Sequence, residues 1–391
     1  MTAVVENVGT AIGFAVGYRD LVEAVAATGL VAGGRNAATA MVKITAGDNL
    51  VIVHAATSCD SLRVVVGADV EISGDVLVPQ VELAKTLAAI AKGAQRSELD
   101  RMRVRLTHNM GEETADLQLA GYTLPLMAVA ADSYPDGPSA AVDVVTVDRA
   151  LFEQMHARVR IAASTDTLLP TLTNVALVMA PSQVTMLATD RYRIARGLVD
   201  ADFTGNDPIT VLLPTMTTKV LKACRGPRLV IGAAATDTTT AVTISDGTIT
   251  WTHSQTNAAN FPTLRQFFDV VATTTATAKL ASCRQAMIRT RALHDILAER
   301  DTAMLMHIHP DSLELVPGAK TGTAHAPEIP AETTSPQHGL TVGFNPTYLA
   351  DALAHMTGDT VTVHITDTRR PITLTGADSY EQVLMPMRIT K

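Results

Sequence analysis

His307 and His309 alternate along an apolar run and would share one face of a strand, an arrangement in which two imidazoles can grip a metal ion. No Cys or carboxylate accompanies them at ligand spacing, so they read as structural. Ala319-Lys320-Thr321 ends like a phosphate-gripping loop, but the glycine before the lysine is missing and no helix pattern follows. Lys320-Thr321-Gly322 matches one element of β-lactamase chemistry without the Ser-x-x-Lys that supplies the nucleophile. Cys59, Cys224 and Cys283 are far apart and form neither a disulfide framework nor a Cys-x-x-Cys pair, which indicates a reduced, cytosolic protein. The residues point away from catalysis, metal and cofactor and towards binding.

Charge tells more. The net charge is −8, which by itself disfavours a nucleic-acid partner, yet the cations are segregated. Three helix-like segments, 147–161, 214–228 and 282–294, carry ten basic residues against two acids, leaving the remainder of the chain at −16. They hold Arg149 and Arg158, then Lys219, Lys222 and Arg225, then Arg284 and Arg291. In the middle segment Met216, Val220 and Cys224 mark an apolar stripe, with the cations on the opposite face at helical spacing. Repeated basic helix faces suit a surface that touches phosphates without reading bases.

The segment Met186 to Gly197, MLATDRYRIARG, reads as a strand, a Thr-Asp turn and a second strand. Its Tyr and Arg residues exceed what a structural hairpin needs. The chain closes on Val383 to Ile389, VLMPMRI, whose methionines are adaptable side chains suited to varied partners.

These residues must be positioned by some scaffold, and the chain repeats one. Pro79, Pro214 and Pro346 each follow an apolar strand end and open a helix-like pattern, and they lie 135 and then 132 residues apart. Further amphipathic stretches occur at Tyr18 to Leu30, Val147 to Ile161 and Ser282 to Leu297. Between them run short strands, among them Asn49 to His54, Ser61 to Val66, Met102 to Leu106, Val175 to Met179, Ala241 to Trp251, Thr360 to Ile365 and Pro371 to Leu374. Two helices and several strands per unit predict an α+β fold of three similar domains, each with helices on antiparallel sheet, over 1–135, 136–270 and 271–391. No apolar run approaches the length of a membrane span.

Both signature stretches resemble those of the bacterial β sliding clamps, processivity factors of replicative DNA polymerase. The resemblance implies a non-enzymatic dimeric ring around duplex DNA, helices inward and sheets outward. It also implies a cytoplasmic, nucleoid-associated protein that meets polymerase and clamp loader through short peptides. The matching pocket positions are Leu172, Thr189, Arg191, Tyr192, Arg193, Ile194 and Pro262, with Arg369, Pro371, Val383, Leu384, Met385, Pro386, Met387 and Arg388. Arg35 matches a DNA-facing position, alongside the helix cations named above. The dimer contact is expected between an edge strand at Asp116 to Gly121, presenting Leu117 and Leu119, and Leu293 of the partner. A clamp-like paralogue from a phage, plasmid or resistance locus, with altered partners, is the alternative.

Overall fold

The computed structural model describes residues 11–32, 40–205, 207–236, 239–256, 261–298, 301–318, 324–334 and 339–389. Arg35 and the Lys320 to Gly322 segment lie outside them. The architecture is α+β, with antiparallel strand pairing throughout the strand pairs described below. Its helices are α1 (Tyr18–Thr28), α2 (Gln80–Ile90), α3 (Arg96–Leu99), α4 (Arg149–Val159), α5 (Thr217–Ala223), α6 (Leu280–Leu297) and α7 (Pro346–His355).

The chain forms two compact units, 1–150 with 202–211 and 216–257, and 151–201 with 212–215 and 258–391. In the first, the long strand Asp60–Ile72 serves two ladders. Its first half pairs with Leu50–Ala56 on one side and Ile249–Thr256 on the other; its second half pairs with Ile12–Gly17. The sheet continues from Ile12–Gly17 through Arg103–His108 and Thr114–Leu119 to Tyr122–Met127. α1 and α2 pack together, and the Tyr18 hydroxyl donates to the Leu87 carbonyl at 2.8 Å. Phe14, Leu21, Leu62, Leu87, Leu106 and Trp251 fill the interior, which the scarcity of aromatics leaves largely aliphatic.

In the second unit Gln183–Thr189, Arg193–Phe203 and Tyr380–Leu384 are adjacent strands, followed by Ile372–Thr375, Thr360–Ile365 and Thr274–Lys279. α6 and α7 pack together beside this sheet. Of the three prolines, only Pro346 occupies a first helical turn, behind Asn345, whose side chain accepts from the Thr347 and Tyr348 amides. Pro79 ends a strand at the cap of α2, and Pro214 lies before α5, which starts at Thr217. The expected strand Ala241 to Trp251 is instead a hairpin, Thr239–Ser245 and Ile249–Thr256. Its turn is held by Asp246, whose carboxylate accepts from the amides of Arg225, Gly226, Thr248 and Ile249 at 2.6 to 3.0 Å. Burial pushes that carboxyl up in pKa, and the four N–H groups more than reverse it, leaving it below the usual range.

Candidate functional site

The two signature segments become neighbours in one ladder. Arg193 lies opposite Leu384 and Ile194 opposite Val383, and the Met385 amide donates to the Tyr192 carbonyl at 2.9 Å. Local chemistry shapes the turn between them. Asp190 accepts from the Tyr192 and Arg193 amides, and the Thr189 hydroxyl accepts from the Arg191 amide while donating to the Arg193 carbonyl. Arg191 adopts φ +80°, a left-handed conformation costly for a side chain with a Cβ.

Arg193 is a strut. Its guanidinium donates to Asp190 at 3.0 Å and Asp351 at 2.7 Å and lies 4.5 Å from the Tyr348 ring centre. Burial, then the Asp190 charge, raises the Tyr348 hydroxyl pKa. Three residues further along the same strand, Arg196 pairs with Glu381 and stacks on Phe268 at 4.0 Å.

Against this frame sits an apolar cluster of Ile194, Leu264 and Val383, with Leu187, Phe261, Phe267 and Phe268 partly buried around it. Met385, two residues beyond Val383, is 39% exposed, and Tyr192 is exposed. The structure therefore brings Thr189, Arg191, Tyr192, Arg193, Ile194, Val383, Leu384 and Met385 together. Leu384 is buried, as is Leu172 in a separate 3-10 turn; Pro262 is exposed beside Phe261. Pro371 precedes the strand Ile372–Thr375, while Arg369, Pro386, Met387 and Arg388 surround an adjoining cavity. Sequence reasoning found the Thr189-Asp190 turn but missed Leu264, Asp351 and Tyr348. The two aromatics after Leu264 were the signal for the cluster; the distant Arg193 partners, Asp351 and Tyr348, had no local one.

The cations divide into two groups. Lys219, Lys222 and Arg225 are exposed on or just after α5, with Val220 and Cys224 buried behind them. Across a cavity of about 310 Å³ they face Asp20 and Glu23 of α1. Arg291 is half-exposed, 3.4 Å from the Thr347 hydroxyl. Arg149 donates from Nε to the Gly226 carbonyl at 2.7 Å.

Arg158 and Arg284 depart from expectation. Arg158 is 6% exposed, grips both carboxylate oxygens of Asp378, donates to the His355 carbonyl and lies 4.3 Å from the Tyr380 ring centre. A charge so buried and paired is not presented to a phosphate. Arg284 donates to the carbonyls of Leu353, Ala354 and Met356, satisfying the end of α7. Both hold the frame.

The expected dimer contact also needs correction. Leu117 and Leu119 are buried, because Thr114–Leu119 lies between two other strands and turns them into the core. The outer strand of that ladder is Tyr122–Met127, with Tyr122 and Met127 exposed. Leu293 is 50% exposed on α6, together with Ile288 at 73% and Ile296 at 75%, an apolar stripe at helical spacing.

His307 donates to or accepts from the Thr341 hydroxyl, and His309 lies 3.7 Å from Glu314. Among the described residues no group of three His, Cys, Asp or Glu side chains is placed to hold a metal ion, and no helix is long and apolar enough to cross a membrane.

Comparison with known proteins agrees with this geometry. The family described as DNA polymerase III beta subunit, central domain, matches residues 146–258, and its C-terminal domain counterpart matches 270–388, together more than half of the chain. The beta sliding clamp of Streptomyces coelicolor is 25% identical over 341 residues, covering 84% of this chain and 86% of that protein. That of Micrococcus luteus is 35% identical over 135 residues, 34% of this chain and 40% of that protein. The solved DNA polymerase sliding clamp from Bacillus subtilis covers 97% of this chain and 100% of that one, with a TM-score of 0.81 at 18% identity, which shows a shared fold. The chain belongs to the DNA polymerase III beta subunit family, the beta sliding clamps.

Proposed function

We propose that two copies of this chain close around duplex DNA as a non-catalytic tether that keeps polymerase and other factors near the primer end. The observation that carries the reading is the pairing of Arg193–Gly197 with Tyr380–Leu384 beside a partly open apolar cluster. Such a cluster suits a short peptide with Gln and two large apolar residues, from the polymerase or the clamp loader. Topological linkage would hold the bound enzyme at high effective concentration, so no catalytic group is required of the clamp.

The three domains are assigned to 1–135, 136–270 and 271–391. The dimer contact is assigned to the exposed stripe Ile288, Leu293 and Ile296 of one protomer and the outer strand Tyr122–Met127 of its partner, a pairing that covers a free sheet edge. DNA is met through Lys219, Lys222 and Arg225, with Arg149 and Arg291 contributing and Arg35 assigned by resemblance alone. Such a protein works at the nucleoid in the cytoplasm. The test is primer extension on a primed circular template with polymerase and clamp loader, alongside sedimentation of the clamp. Long products that depend on this chain, and a mass of two chains, are expected; a stable monomer without effect on product length would refute the reading.

A further inference from the structure

The seam between α1 and α5 lies wholly within the first compact unit and sets opposite charges face to face. Asp20 and Glu23 are exposed, three residues apart on α1. Lys219 and Lys222 are exposed with the same spacing on α5, and Arg225 is exposed just beyond it. All five line the cavity of about 310 Å³ between the two helices. Three residues span about 4.5 Å of helix, so each wall presents its charges one above the other. Asp246 adds a third carboxylate to the lining, which balances the formal charges at three against three. Its oxygens are already taken by four backbone amides, whereas Asp20 and Glu23 form no ion pair with the facing cations among the described residues.

The backbone explains why the two walls face each other without closing. Ile249 lies opposite Val64 in the ladder that joins Asp60–Ile72 to Ile249–Thr256, and both residues line the cavity. α1 packs on the strand that carries Val64. The end of α5 is tied by the Arg225 and Gly226 amides to Asp246, three residues before Ile249. Each helix is therefore fixed to one side of the same ladder, and the charges attract across solvent. Within a Debye length, about 10 Å at 0.1 M salt, that attraction is felt but does not lock the lysine side chains in place. A phosphate approaching these cations has to displace carboxylates that already face them, and the same carboxylates then repel it.

We propose that Asp20 and Glu23 compete with the DNA backbone for Lys219, Lys222 and Arg225, so that the hold of this surface on a duplex stays weak and mobile. The inference rests on the reading of the α5 cations as a DNA contact. It gives the two acids of α1 a role of their own: they set how tightly the phosphates are held, where the cations alone would hold them more firmly and slow the passage of the duplex.

The test uses the full chain and a short fluorescent linear duplex, with affinity read by anisotropy over a range of salt concentrations. Four forms are compared: wild type, the pair Asp20→Asn, Glu23→Gln, the triple variant Lys219→Gln, Lys222→Gln, Arg225→Gln, and all five changes together. Removing the acids should tighten binding about three- to ten-fold at low salt and steepen the salt slope by about 1 to 2, because two internal counter-charges are gone. In the triple background the same removal should change affinity by less than about two-fold, since the cations through which the acids act are absent. A tightening that persists at full size in that background would overturn the inference, because it would trace to net charge alone. Unchanged affinity without the acids, in a protein whose triple variant binds more weakly than wild type, would overturn it and leave the DNA contact of α5 standing. A triple variant that binds as well as wild type, or no binding by any form, would refute that contact and this inference with it.

Discussion

The Met385 amide donates to the Tyr192 carbonyl, and this one bond joins two segments from distant parts of the chain into a single wall. Met385 is partly exposed and lies two residues beyond Val383, a member of the Ile194, Leu264 and Val383 cluster. A bound apolar residue fully desolvated there would gain roughly 1.5 to 3 kcal/mol. Met385→Asp places an unpaired charge on that surface. Peptide binding should become undetectable by calorimetry while thermal unfolding stays within a few degrees of wild type.

Arg193→Ala should behave differently. Because Arg193 braces Asp190, Asp351 and Tyr348, its loss strands a mostly buried Asp190 carboxylate and loosens the turn. Stability should drop by about 2 to 3 kcal/mol in urea unfolding. Peptide affinity should fall as a consequence, and Arg193→Lys should not restore it, since a single ammonium cannot span both carboxylates.

Leu293→Asp combined with Ile296→Asp should yield a folded monomer in sedimentation, because both side chains are exposed on α6. Leu117→Asp should instead abolish folding, with a loss above about 4 kcal/mol, since it buries a charge in the core. If Leu117→Asp gave a stable monomer, the strand order of that sheet would be wrong.

Lys219→Glu, Lys222→Glu and Arg225→Glu together should shorten replication products and reduce the salt slope of binding to linear DNA by up to about 3, roughly one per lost cation. Arg158→Gln should leave that slope unchanged and cost about 1 to 2 kcal/mol of stability, because the Asp378 carboxylate that loses its guanidinium is partly screened by solvent and keeps the Tyr380 amide. Burial raises the Asp378 carboxyl, and hydrogen bonds from Arg158, Thr357 and the Tyr380 amide, with the Arg158 charge, more than reverse that and hold it below the usual range.

Acid should weaken the second unit through His156. The ring is 1% exposed with no hydrogen-bond partner for either nitrogen among the described residues, and burial, assisted by the Arg160 charge, lowers its pKa from 6.5 to about 4. A depressed pKa favours folding fully above about pH 6.5 and withdraws that support as pH falls towards 4. His156→Leu should therefore flatten the stability profile between those values, gaining about 1 to 3 kcal/mol near pH 4.5 by urea unfolding.

Much of this was legible in the residues. The helices at Tyr18, Val147 and Ser282 and the Met186 to Gly197 hairpin follow from periodicity and turn chemistry that act within a few residues. What escaped depends on distant partners. The Asp246 turn splits an apparently continuous strand because two of its four donors, Arg225 and Gly226, come from the end of α5. Leu117 and Leu119 alternate as any half-buried strand would, and only the neighbouring strand Tyr122–Met127 decides that they face the core. Counting charges placed Arg158 and Arg284 among phosphate contacts, since Asp378 and the end of α7 are invisible at their positions.

Gly197 ends the first signature segment, and a Cβ built there would meet the Met155 sulfur at 2.2 Å and Val159 at 2.9 Å. The missing methyl is thus a spacer of zero thickness: it lets α4 lie flush on the hairpin strand. Any side chain at this position would have to displace the Met155 and Val159 side chains of α4, on the helix that also carries Arg158, Phe152 and the buried His156. A residue that contacts no partner can therefore govern how firmly the peptide-bearing strand is backed, and substitutions there should be read as repacking against α4 before they are read as changes in binding.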